Sequence, residues 1–144
     1  MGLIRSGGLL LPPDSSNEEL RPHLWPIVRE IIKTAIENQQ NLIVEGCYIP
    51  IDYKNDFEDY YLEHISFICL IFSRSYIENH YDQILAYENV IEQRAKAGNH
   101  LGREQFLSEN LENLALCRRY ARNYVLFEQG DYERILEDWL RSVN

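Results

Sequence analysis

Lysine is scarce in this chain of 144 residues: of its 14 lysines and arginines, only Lys33, Lys54 and Lys96 are lysines. Glycine (7), proline (5) and cysteine (3) are also few. So little glycine and proline excludes a collagen-like or linker-like polymer. Three scattered cysteines, Cys47, Cys69 and Cys117, are an odd number without metal or redox spacing. They exclude a disulfide-framed scaffold and fit reduced thiols in a cytoplasm. Long apolar runs are missing too. Leu9, Leu10 and Leu11 stop at Pro12, and the run over 67–72 is short of the ~20 residues of a membrane span. The first residues lack the layout of a secretory signal. Positive charge is in deficit, with a net charge of −9. That excludes nucleic acid as a partner through a broad basic surface, and leaves room for one local cluster of arginines.

Apolar and aromatic residues are plentiful, at 45% and 12%, with ten tyrosines among them. One packed domain over 1–144 follows. Ser15 with Glu18, or Ser16 with Glu19, has capping-box spacing. Pro22 and Pro26 limit where the first long helix begins, and it is expected over about 24–39. Leu24, Val28, Ile31, Ile32, Ala35 and Ile36 form its stripe. Residues 42–44 read as a short strand buried on both faces. Residues 47–62, with Pro50 and several acids, read as a solvated loop. Residues 64–72 read as a second strand. A helix follows from Ser73 or Ser75 to about Ala97, with Ile77, Ile84, Leu85, Val90 and Ile91 inside. After a break at 98–102, a helix over 104–121 carries Leu107, Leu111, Leu114 and Cys117. A third strand spans 124–127. A last helix over 132–142 buries Ile135, Leu136, Trp139 and Leu140. Short apolar strands alternating with helices imply an α/β domain with a parallel sheet.

Ligands of open α/β sheets gather beyond the carboxyl ends of the strands. The first expected strand ends in Glu45 and Gly46. An acid there can orient a nucleophile or hold a Mg²⁺-bound water, and the glycine permits close approach. The plain alternative is the solvated end of a strand. Arg94, Arg118 and Arg119 fall on neighbouring helices within a helical flap region, 74–121, with Arg122 just after it. Arginine forks there suit a polyphosphate; the alternative is that they complement helix dipoles. Arg74 is a lesser anion ligand. His23, His64, His80 and His100 are scattered without metal spacing. Cys47 lacks an identifiable base.

The segment NLIVEGCYIP, residues 41–50, resembles the third-strand segment of P-loop small-molecule kinases, of the adenylate-kinase-like and 2-phosphoglycerate-kinase-like kind. LWPIVREIIKTAIE, FICLIF, YENVIEQR and NYVLFEQGDYERIL follow the same family order. The resemblance implies a three-layer P-loop NTPase-like parallel sheet flanked by helices. It implies ATP-dependent phosphoryl transfer to a small-molecule acceptor, with Mg²⁺. By position, Glu45 would be the catalytic carboxylate, acting on Mg²⁺ only through a bound water. Arg94 would be the flap arginine on the transferred group. Gly46, Arg5 and either Arg118 or Arg119 would face the substrate.

One part departs from the family. No G-x-x-x-x-G-K-[ST] loop is present, so the backbone cradle for phosphates is missing. The resemblance then implies a sheet incomplete at its N-terminal side, without the central strand, and Met1 as an internal methionine of a longer domain. Little or no catalysis is expected of the chain alone. Unpaired strand edges would make it marginal, or prone to self-association. The alternative is a non-catalytic interaction module of the same fold.

Overall fold

A computed structural model of the protein describes residues 17–87, 102–128 and 132–143. Among them are five helices and one two-stranded parallel sheet, a mixed α/β architecture. The chain divides into two compact units, Met1–Ser66 and Phe67–Asn144.

The first unit is built on α1 (Asn17–Glu37), which starts earlier than the prolines suggest and holds Pro22 and Pro26 inside it. An interior proline costs a helix about 3 kcal/mol. Burial of Leu20, Leu24 and Trp25 offsets that cost. The Trp25 indole N–H also donates to Asp56 Oδ2 at 2.8 Å. The 47–62 stretch is therefore not a free loop. It holds a 3₁₀ turn (Tyr53–Asp56) and the one-turn α2 (Asp59–Leu62). Phe57 packs edge-on against Trp25 and Tyr53, and at a tilt against Tyr61. Lys33 reaches Glu58 at 3.4 Å and lies over the Tyr61 ring. The aromatic spacing 53, 57, 61 carried this information, and the acids around it obscured it.

The strand expected at 42–44 does not form. The segment is irregular, and Leu42 and Ile43 are 46% and 95% exposed. A strand needs a neighbour for its backbone groups, and no described strand lies beside this one. Val44 is half-buried, so the apolar trio is not the doubly covered strand its composition suggested.

The second unit contains β1 (Cys69–Phe72), α3 (Arg74–Tyr87), α4 (Arg103–Arg119), β2 (Tyr124–Phe127) and α5 (Tyr132–Val143). β1 and β2 pair in parallel, Cys69 opposite Tyr124 and Phe72 opposite Phe127. The expected strand over 64–72 shrinks to its last four residues, because β2 offers only four partners. Ile71, Ile77 and Cys117 are fully buried and form the centre of this unit, with Val125 and Phe127 close to fully buried. Leu140, expected inside, is 52% exposed.

The two long helices end alike. Gln40 N–H donates to the Ala35 carbonyl and Gln39 N–H to that of Ile36. Arg122 N–H donates to the Cys117 carbonyl and Ala121 N–H to that of Arg118. Both are Schellman motifs, with Gln39 (φ 54°) and Ala121 (φ 50°) where glycine is usual. Without that glycine the sequence carried the helices two residues too far, to 39 and 121.

The capping serines Ser15 and Ser16, the leucine trio, Arg5, Val90, Ile91, Arg94 and His100 lie outside the described residues.

Candidate functional site

The carboxyl ends of β1 and β2 define one end of the second unit. Ser73 N–H donates to the Phe127 carbonyl and closes the ladder there. Ser73 Oγ then accepts from Tyr76 N–H at 3.1 Å, which caps the start of α3. Four aromatic rings converge on this end. Phe72 stacks on Tyr76 with centroids 5.2 Å apart and planes 12° apart. Phe106 and Phe127 approach the Phe72 ring at 6.4 and 5.7 Å. His80 continues the column at 4.5 Å from Tyr76. The spacing of four in Phe72, Tyr76 and His80 is the sequence signal for this column.

His80 also breaks the helix. Its φ of −130° and ψ of 16° kink α3. A kink withdraws amide donors from the carbonyls one turn earlier. The Glu78 carbonyl, two residues before the kink, accepts from the Arg103 guanidinium at 2.6 Å. His80 Nδ1 is buried and has no hydrogen-bond partner among the described residues. Two cations therefore stand at this end, Arg103 at the start of α4 and Arg74 at the start of α3. Arg74 is exposed and pairs with Glu78 at 3.5 Å.

Arg118 and Arg119 stand at the opposite end. α4 leads through the turn at 120–123 into the first residue of β2, so its last turn lies at the amino ends of the strands. There Arg118 lies over the Tyr124 ring and Arg119 over that of Tyr120. Neither has a carboxylate partner among the described residues.

Glu45 and Gly46 belong to the first unit. Glu45 is exposed, and its carbonyl accepts from the Tyr48 hydroxyl at 3.1 Å. Gly46 has φ +156°, and a Cβ there would come within 2.3 Å of the Tyr48 ring. The space that glycine leaves is therefore taken by Tyr48, which also packs against Leu20 and Leu24. Burial, with the nearby Cys47 and Glu45, pushes the Tyr48 hydroxyl pKa above 10.0. A shallow open groove of about 290 Å³ runs past Ile31, Ala35 and Leu42 and is largely apolar.

Among the described residues no group of three or more His, Cys, Asp or Glu side chains is arranged to hold a metal ion. Nor does any glycine-rich turn there offer a run of amides to a phosphate. No protein-family model, curated protein or solved structure matches this chain.

Proposed function

We propose that this chain contributes the α/β framework and the phosphate-facing end of an ATP-dependent kinase acting on a small-molecule acceptor. On its own it binds phosphate weakly and does not transfer it. Support comes from one observation above all. Two strands run in parallel through a helical crossover, with Ser73, Arg74 and Arg103 around their carboxyl ends. That is where α/β domains bind ligands. In the family resemblance Glu45 is the catalytic carboxylate, Gly46 admits the acceptor and Arg94 serves the transferred group. Arg118 and Arg119, at the far end of α4, serve a second anion contact or none.

The test is a titration of the chain with Mg²⁺ and ATP, followed by heat and by product analysis. The reading expects a Kd on the order of millimolar, weaker still in R74A and R103A, with no phosphorylated acceptor. No binding at all would remove the nucleotide. Micromolar, Mg²⁺-dependent binding with turnover would remove the claim of inactivity.

A second reading is a non-catalytic interaction module that self-associates. It is favoured by the outer edge of β1. Cys69 and Ser73 donate their N–H groups to the residues flanking β2 and at its end, so Leu70 turns its own away from β2, as does Phe72, whose N–H is taken by Asn110. The Leu70 side chain is 55% exposed. Concentration-dependent sedimentation that disappears in L70K would favour it.

A further inference from the structure

Two thiols meet inside the second unit. Cys69 opens β1, and Cys117 lies in the last turn of α4. Cys117 is fully buried on the helix that packs against β1, and Cys69 is half-buried at the start of that strand. One contact sets their alignment. Asn110, seven residues before Cys117, is bonded to Phe72, three residues after Cys69. Seven helical residues rise about 10.5 Å and three strand residues about 10 Å. So α4 runs antiparallel to β1, and the Asn110 contact places Cys117 opposite Cys69.

We propose that Cys69 and Cys117 form a reversible intramolecular disulfide that fastens α4 to β1 when the protein meets a peroxide. Cys69 is half-buried and Cys117 is fully buried, so the oxidant reaches Cys69 first. The Cys69 thiolate attacks the O–O bond of hydrogen peroxide. It keeps one oxygen as a sulfenic acid, and the other leaves as hydroxide and takes up a proton as water. The Cys117 thiolate attacks that sulfur, forms the S–S bond and expels hydroxide, which becomes a second water. Two thiols and one peroxide thus give one disulfide and two waters, each sulfur losing one electron. A dithiol reverses the step.

The environment sets the rate. Burial and the neighbouring Cys117 push the Cys69 thiol up to about 12, so its thiolate is scarce at neutral pH. Burial also raises the Cys117 thiol, but the neighbouring Cys69 and Arg122 act the other way. Cys117 is the better placed of the two to resolve a sulfenic acid. The reaction is slow near pH 7 and accelerates as pH rises.

The test uses the full chain carrying Cys47→Ser, which removes the exposed third thiol. The protein is treated with hydrogen peroxide, unfolded in an alkylating agent and mapped by mass spectrometry. The proposal expects loss of two hydrogens, a peptide joining Cys69 to Cys117, and no covalent dimer. It also expects a higher unfolding temperature that returns to the starting value with dithiothreitol. In C47S/C117S, Cys69 should instead be trapped by dimedone. Two alkylated thiols after treatment would overturn the proposal. So would dimedone-labelled or over-oxidised Cys69 in C47S without the joined peptide, a readout that does not depend on the second variant folding.

Discussion

Asn110 and Phe72 exchange two hydrogen bonds across the second unit. The Phe72 N–H donates to Asn110 Oδ1 at 3.2 Å, and Asn110 Nδ2 donates to the Phe72 carbonyl. A side-chain amide from α4 thus stands where a neighbouring strand would pair with β1. It covers the one pair of edge groups nearest the carboxyl end. It also ties α4 to β1 in the alignment that brings Cys117 to Cys69.

N110A should therefore destabilise the protein by about 1–3 kcal/mol, because it leaves a part-buried N–H and carbonyl unpaired. N110D should be as harmful at neutral pH, since a carboxylate would face the Phe72 carbonyl. N110D should recover part of its loss in acid, where a protonated carboxyl donates again. Urea unfolding at two pH values checks both.

Q39G and A121G should each stabilise the protein by up to about 1 kcal/mol. Both residues hold positive φ at the end of a Schellman motif, where a Cβ is unfavourable. The gain is held down by glycine's greater freedom in the unfolded chain. Chemical denaturation of the single and double variants measures it, and the two effects should add, since the motifs lie in different units.

G46A should cost about 1–3 kcal/mol, through strained backbone and a displaced Tyr48 ring. Y48A should cost less in the G46A background than in the parent. A double-mutant cycle reads that coupling directly.

Tyr61 supplies a pH dependence. Its hydroxyl donates to Glu37 Oε1 at 2.6 Å, and that bond above all holds its pKa up to about 12, against an ordinary 10.0. The unfolded tyrosine ionises first, so the contribution is complete below pH 10 and is lost as pH rises toward 12. The ultraviolet difference between the parent and Y61F should titrate near 12. A difference titrating near 10.0 would mean that the Glu37 bond is absent in solution.

The parts of the fold legible in the sequence were those fixed by local periodicity. The strand over 124–127 and the helices after 103 and 132 stand where the apolar spacing put them. Residues 42–44 failed because an apolar run shows what a strand prefers, and only a partner makes one. The 47–62 segment is largely irregular, as expected, but Tyr53, Phe57 and Tyr61 at a spacing of four anchor it through Trp25 and Lys33. At the candidate site, Arg74 was noted and Arg103 was not. Arg103 bonds the Glu78 carbonyl beside the kink at His80, and no spacing rule shows a kink without proline or glycine. Arg118 and Arg119 were grouped with Arg94 by sequence proximity, yet α4 carries them to the amino ends of the strands.

The most direct measurement of the proposed function is an amide-shift map of the isotope-labelled chain during a titration with Mg²⁺ and ATP. Binding at the carboxyl end should move residues 72–76 and 102–106, with R103A abolishing most of the change. Shifts gathered at 118–122 and untouched by R103A would contradict the account, as would an unchanged spectrum.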